Sequence, residues 1–95
     1  MKIEEGTSRR SRIEIIADIL RMGEASKTQM MYRVGMSYAQ LERYLDYLVG
    51  RGFLVRKLER YPSGIYQVSQ EGDELLHSIE KIEELLAVDT LLVKR

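Results

Sequence analysis

Two copies of one helix-start signature stand eleven residues apart, and this pair constrains the fold more than any other feature of the chain. Ser26-x-x-Gln29 and Ser37-x-x-Gln40 both match the capping box, in which the serine hydroxyl accepts the N–H of the third residue along and the glutamine returns to the serine N–H. Gly35 stands between them and suits a tight turn. The pair therefore predicts a short helix of about two turns, a turn at Gly35 and a new helix.

Apolar residues recur at helical spacing in both predicted helices. The longer helix ends near Gly50 and Gly52. The inward-facing residues are Met30, Met31 and Val34 in the short helix and Leu41, Leu45, Leu48 and Val49 in the longer one. A short and a longer helix joined by a tight turn form the helix-turn-helix pattern.

The periodicity changes after Gly52. Phe53–Leu58 predicts a strand, residues 61–64 a turn with Pro62 at its second position, and Ile65–Val68 the return strand. The second helix of the pair is therefore followed directly by a β-hairpin.

A further amphipathic helix precedes the pair, between Ser8 and Gly23. Ser8 or Ser11 can cap it, and Ser11 forms a capping box with Glu14. Its apolar stripe consists of Ile13, Ile16, Ala17 and Leu20. Three helices and a hairpin predict a winged helix, a mainly α fold with a small β-hairpin (α+β).

The last predicted helix runs from Gln70 to about Leu92, which at 1.5 Å per residue is about 33 Å long. Its apolar residues follow coiled-coil spacing, which Asp89 interrupts, and its last two turns are apolar nearly all round. Because the chain has little other material to cover this face, we expect a second copy to do so. The expected dimer interface consists of Leu75, Ile79, Ile82, Leu85, Leu86, Leu92 and Val93.

Composition limits the alternatives. The 95 residues are 44% apolar and contain no Cys and a single His, which excludes disulfides and thiolate or multi-histidine metal sites. No apolar run is long enough to span a membrane, and we expect a cytoplasmic protein. The expected organisation is a lead-in over 1–8, a winged helix-turn-helix domain over 9–68 and a dimerisation helix over 69–95.

Charge is divided unevenly along a chain whose net charge is zero. Residues 1–60 hold twelve Lys and Arg against eight Asp and Glu, a net charge of +4, and residues 61–95 hold three against seven, a net charge of −4. The basic part coincides with the predicted helix-turn-helix and hairpin, so this part of the chain could meet phosphate.

The exposed face of the second helix of the pair is the expected DNA reader. Its first turns would enter the major groove, where Arg43 suits guanine and Gln40 suits adenine. Ser37 leaves backbone N–H groups for a phosphate. Tyr38 and Tyr47 lie on the same face, although each tyrosine, like Tyr44, could equally be a half-buried helix residue.

Cations elsewhere would contact the DNA backbone, although any one of them could be an ordinary solvated charge. Glu42 and Asp46 would repel phosphate and weigh against tight nonspecific binding. The expected supporting residues are Arg9, Arg10 and Arg12 at the start of the first helix, together with Lys27, Arg33, Arg56, Lys57, Arg60 and Tyr61.

An enzyme is not expected. His77 lies on an acidic helix with no glycine-rich elbow near it in the sequence. Glu71, Asp73 and Glu74 are explained by the positive end of the helix dipole rather than by a metal. We therefore expect no catalytic residue, metal, cofactor or small-molecule substrate.

Four stretches carry a family resemblance: Ser11–Ile16, Met36–Ala39, Arg43–Leu45 and Val68–Leu76. Together they resemble the small archaeal winged-helix DNA-binding proteins that dimerise through a long C-terminal coiled-coil helix. The resemblance implies double-stranded DNA binding through the third helix and the wing, with a winged helix at each end of an antiparallel rod. Members that coat DNA are plainly basic, whereas the neutral charge here favours a site-selective regulator.

The sequence thus predicts a homodimer that binds double-stranded DNA, a transcriptional regulator with nucleoid association as a further role. The alternative is a winged helix used as a protein-interaction module in a transcription or modification assembly. Net neutrality and the acidic residues on the third helix support that alternative.

Overall fold

The computed structural model describes residues 11–57 and 64–94, with side chains as far as Ala87. Four helices surround a small antiparallel sheet. The elements are α1 (Arg12–Arg21), β1 (Glu24–Ser26), α2 (Lys27–Met30) with one further π-helical turn (Met31–Gly35), α3 (Tyr38–Gly50), β2 (Leu54–Lys57), β3 (Ile65–Val68) and α4 (Gln70–Lys94). The predicted mainly helical winged-helix fold is confirmed.

Serine side chains start the first three helices as the sequence predicted. The hydroxyls of Ser11 and Ser26 accept the N–H of Glu14 and Gln29, and both side chains return to the serine N–H, which completes two capping boxes. Ser37 accepts the N–H of Gln40 at 3.2 Å, but the predicted capping box is incomplete here, because the Gln40 side chain accepts from the Ser37 hydroxyl instead of from its N–H. These bonds satisfy backbone donors that have no partner inside a helix.

The sheet has a third strand that the sequence analysis missed. β1 pairs with β3, which pairs with β2, so that Ala25, Tyr66 and Arg56 stand side by side across the sheet. β1 is only three residues long and lies between two helices, so it shows no alternating pattern of its own. Its strand geometry depends on pairing with β3.

The core lies between the helices and one face of the sheet. Leu41, Leu45 and Leu48 of α3 are completely buried, as their spacing predicted, whereas the same prediction is wrong for Val49, which is 36% exposed. The cluster also contains Ile15, Ile19, Leu20, Ala25, Met30, Val34, Leu54 and Tyr66. It therefore joins α1, α2, α3 and the sheet into a single unit.

The predicted apolar stripe of α1 is wrong at its first position. Ile13 is 52% exposed, whereas Ile15 and Ile19, which lie off the predicted stripe, are buried. Ala17 and Leu20 are buried as expected. Ile15 and Ile19 are buried because α1 packs against α4 as well as against the central cluster, so more than one face of α1 is covered. Ile13 is exposed together with its neighbours Arg12 and Glu14 in the first turn of α1.

The first half of α4 belongs to the same unit. Leu75 and Leu76 pack against the core and Ile79 is 6% exposed. Arg21 of α1 joins this contact through Glu80 and Glu83, with its guanidinium nitrogens 3.1 and 3.0 Å from their carboxylate oxygens. Hydrogen bonds to Glu80 and Glu83 outweigh desolvation and raise the pKa of Arg21. In the part of the chain that the structure describes, no helix is long and apolar enough to cross a membrane.

Candidate nucleic-acid interface

Helix α3 presents one face to solvent after burying the other. Gly35 ends the preceding turn with a φ of +75°, a conformation that glycine adopts without steric cost, and this lets α3 start two residues later. Each residue advances the helix by about 100°, so Arg43 lies nearly opposite the buried leucines. Arg43 is exposed, as are its neighbours on that face, Ala39 and Asp46.

The two flanks of α3 face different elements. Tyr38 and Glu42, four residues apart, lie on the α2 side, where both contact Lys27. Gln40, Tyr44 and Tyr47 lie on the α1 side. The expected reader residues are therefore divided between the outermost face of the helix and its two flanks.

A groove of about 470 Å³ separates α1 from the exposed side of α3. Arg12 and Arg43 face it from opposite helices, and none of the described side chains that line it is acidic. Its walls are Arg12, Ile16, Gln40, Arg43, Tyr44 and Tyr47. Two guanidinium groups beside aromatic rings can hold a phosphate or stack on a planar group.

Tyr44 is absent from the residues that we predicted for the interface, and Arg12 was expected only as a contact to the DNA backbone, not as a neighbour of Arg43. Arg12 belongs to the first turn of α1, about thirty residues from Arg43 in the sequence, and nothing in the local sequence brings the two together. The position of Tyr44 on the exposed side of α3 could be read from the sequence. Its place in the groove could not, because the opposite wall belongs to α1. A third missed neighbour is Arg51, whose guanidinium lies 5.0 Å from the centre of the Tyr47 ring.

Lys27 lies in a different place from the one expected of a phosphate contact. It is 7% exposed, its ammonium donates to the Tyr38 hydroxyl at 3.1 Å, and it pairs with the Glu42 carboxylate. Burial lowers the pKa of Lys27, but the hydrogen bonds to Glu42 and Tyr38 outweigh it, and the pKa lies above its ordinary value. We therefore remove Lys27 from the set of phosphate contacts.

The remaining expected cations lie on the surface or beyond the described chain. Arg33 is exposed in the π-helical turn and Arg56 is exposed on β2, with its guanidinium 6.0 Å from the Tyr66 ring centre. Lys57 is half-buried at the end of β2. Arg60 and Tyr61 fall between the two ranges that the structure describes, and Arg9 and Arg10 precede the first of them.

The second half of α4 carries apolar side chains that the chain itself leaves exposed. Ile82, Leu85 and Leu86 are 51%, 60% and 55% exposed, in contrast to the buried Ile79. Leu92 and Val93 lie beyond the last side chain that the structure describes. Leu75 and Ile79 of the predicted dimer interface already pack against the core of the same chain. The accessible part of that interface begins at Ile82.

A family model described as winged helix-turn-helix matches residues 9–87. The chain belongs to this family. The match includes the three-helix core, the hairpin and the part of α4 that packs on α1.

Relatives of this winged helix-turn-helix protein occur among archaeal proteins. Sso10a-2, a DNA-binding protein from Sulfolobus solfataricus, is 34% identical, and its crystal structure has a TM-score of 0.75 over 90% of this chain and 94% of that one. The uncharacterized protein MJ0287 of Methanocaldococcus jannaschii is 27% identical over 81 residues, 82% of this chain and 78% of that protein.

The winged-helix fold also resembles larger regulators. BldR, a transcriptional regulator from Sulfolobus solfataricus, superposes with a TM-score of 0.72 over 92% of this chain and 65% of BldR, at 14% identity. At that identity the likeness concerns the fold alone. Proteins with a winged-helix DNA-binding fold are typically regulatory rather than catalytic.

Proposed function

We propose that this protein binds double-stranded DNA as a homodimer and acts as a transcriptional regulator in the cytoplasm, with association to the nucleoid as a further role. Helix α3 enters the major groove, and the hairpin lies against the neighbouring backbone. The description of Sso10a-2 as a DNA-binding protein supports this assignment.

The observation that carries the proposal is the outward position of Arg43. It lies opposite the buried leucines of α3, and among the described residues it has neither an ion pair nor a hydrogen bond. A helix-turn-helix reads bases with this face of its second helix, and arginine pairs with guanine through two parallel hydrogen bonds. Gln40, on the flank beside it, would reach adenine.

The groove between α1 and α3 supports a backbone contact beside the reader. Arg12 faces Arg43 across it, so a phosphate entering the groove would meet the Arg12 guanidinium while Arg43 contacts the base. Arg33, Arg56 and Lys57 supply further positive charge. Contacts of this kind position a protein on the duplex without reading its sequence.

Homodimerisation is proposed through the second half of α4. Three large side chains there, Ile82, Leu85 and Leu86, are more than half exposed, and a helix of 25 residues is about 37 Å long, more than its contact with α1 requires. A paired helix would bury this stripe at coiled-coil spacing. The DNA would then meet two readers, and the spacing of the half-sites would follow from the length of the paired helices.

The rival interaction-module hypothesis has less support than the sequence suggested. It depended in part on Glu42 as an exposed acidic charge that would repel DNA. Lys27 pairs with that carboxylate, so Glu42 and Lys27 together contribute no net charge. Asp46 is the acidic residue that remains on the exposed face of α3.

The test compares two charge deletions by fluorescence anisotropy on a labelled duplex at several salt concentrations. We expect Arg43→Ala to weaken binding at least about fivefold and to relax the preference for guanine at the base pair that it reads. Lys81→Ala, which removes the same charge from the exposed face of α4, should leave the affinity and the preference unchanged. No binding by the wild-type protein at low salt, or equal effects of both changes, would contradict the proposal.

A further inference from the structure

We infer that Lys27 is a positioning residue of the DNA-binding face: it cancels the charge of Glu42 and holds the ring of Tyr38, without contacting DNA itself. The inference rests on the proposed function, because it assigns a task to a residue behind the proposed reader helix. It also separates Lys27 from the other cations of the basic half of the chain.

The environment of Lys27 does not suit a phosphate contact. Only 7% of the residue is exposed, and the ammonium already serves two acceptors, the Glu42 carboxylate and the Tyr38 hydroxyl. A phosphate contact would require the ammonium to leave both of them. Lysines that bind DNA backbone are, in contrast, long side chains reaching freely from the surface.

Glu42 explains why a buried cation is placed here. Its side chain is 41% exposed, one residue before Arg43 on the helix that would meet DNA. An unpaired carboxylate at that position would face the negative backbone. The ammonium of Lys27 supplies an internal counter-ion, so α3 keeps a glutamate without presenting a net negative charge there.

Tyr38 is held by the same ammonium in two ways. The tyrosine hydroxyl accepts a hydrogen bond at 3.1 Å, and the ammonium lies 4.5 Å from the ring centre, within cation–π distance. Yet 57% of Tyr38 is exposed, so the ring is restrained and still accessible at the start of α3. A side chain fixed in advance loses less conformational entropy on binding.

Four proteins separate a counter-ion from a direct contact in salt-titrated anisotropy: wild type, Lys27→Met, Lys27→Met/Glu42→Gln and Arg33→Met. We expect Lys27→Met to weaken binding about fivefold, because it unmasks the glutamate. The double variant should regain the wild-type salt slope and most of the affinity, and the remaining loss of about twofold comes from the missing restraint on Tyr38. Arg33→Met, the control for an exposed cation, should lose about one unit of slope.

The double variant also protects the test from a folding failure. It replaces a partly buried ion pair by neutral side chains of similar length, a change that proteins often tolerate, whereas Lys27→Met alone leaves a carboxylate without its partner. If the double variant binds as weakly as Lys27→Met and has lost about one unit of slope, Lys27 itself contacts phosphate and the inference is overturned.

The restraint on Tyr38 is tested without DNA. In protein with isotope-labelled tyrosine rings, Tyr38→Phe assigns the Tyr38 signals by NMR. We expect Lys27→Met to shift these signals and Lys27→Arg to shift them less, while the Tyr32 signals stay unchanged. Unmoved Tyr38 signals would overturn the restraint. If the wild-type protein binds no DNA, the proposed function fails together with the counter-ion role, and this measurement still decides whether Lys27 holds the ring.

Discussion

Gly72, in the first turn of α4, lies directly over the backbone carbonyl of Phe53. A Cβ atom at Gly72 would stand 2.1 Å from the Phe53 carbonyl oxygen and 3.0 Å from a methyl group of Val68. The start of α4 can therefore approach the turn between α3 and β2 only because residue 72 has no side chain. This close approach fixes where α4 leaves the winged-helix core.

The first prediction concerns Gly72→Ala. Alanine favours a helix over glycine by about 1 kcal/mol, but here the clash is with backbone, which cannot move aside cheaply. We expect a net loss of about 1–3 kcal/mol in the free energy of unfolding. Urea denaturation followed by circular dichroism measures it.

Gly50→Ala is the matched control for Gly72→Ala. Gly50 also lies in a helix, at the end of α3, and a Cβ atom there would meet nothing within 4 Å. This variant should be neutral or slightly more stable than the wild type. Equal stability changes in the two variants would show that the close approach to the Phe53 carbonyl does not prevent a side chain at position 72.

The second prediction concerns Ser69, which caps α4. Its hydroxyl accepts the N–H of Gly72 at 3.0 Å and donates to the Gly52 carbonyl at 2.6 Å. Ser69→Ala removes both hydrogen bonds and should cost about 1–2 kcal/mol in the free energy of unfolding. Ser78→Ala, at an exposed position inside the same helix, should cost nothing, and a comparable loss there would refute the capping role.

The third prediction concerns pH and the pair formed by Lys27 and Glu42. The pKa of Lys27 is raised in the folded protein, so its contribution to stability is complete below the unfolded value of about 10.5 and is lost as pH rises through the folded value. The wild-type protein should therefore lose stability relative to Lys27→Met/Glu42→Gln only above about pH 10.5.

Urea midpoints of both proteins from pH 7 to pH 11 measure this difference. Ionisable groups that do not interact with Lys27 titrate in both proteins, so their contributions cancel in the comparison. A difference that stays constant up to pH 11 would mean that the ammonium of Lys27 is no more stabilised in the folded state than in the unfolded chain.

The fourth prediction concerns assembly. Ile82→Gln/Leu85→Gln removes two exposed apolar side chains from α4 and should shift the protein from dimer to monomer at micromolar concentration in sedimentation experiments, with the helical content of the monomer retained. The control, Lys81→Gln/Glu84→Gln, changes two exposed polar residues of the same turns and should leave the dimer intact. A dimer that survives the first pair of changes places the interface elsewhere.

Local sequence patterns were sufficient for most of the fold. Each predicted serine cap at Ser11, Ser26 and Ser37 is present, because capping depends on atoms three residues apart along one chain. The leucines of α3 are buried because helical spacing puts them on one side whatever covers them. For the same reason α4 and the two strands of the hairpin begin close to where their patterns change.

The misses are all relationships between distant residues. β1 is a strand because β3 pairs with it, and Ile15 and Ile19 are buried because α1 packs against α4 as well as against the core. Neither fact leaves a trace in the local pattern, since both depend on what packs against the segment.

The sequence by itself determined the helices, their caps, the hairpin and the uneven distribution of charge, because short-range hydrogen bonds and periodic apolar residues specify them. Only the tertiary structure decided which charges are available on the surface. It buries Lys27 against Glu42 and leaves Arg43 facing Arg12 across a groove, because the chain brings α1 and α2 to opposite flanks of α3. How strongly a charged side chain interacts with DNA depends on its burial and on its partners within the protein, and both are properties of the folded chain.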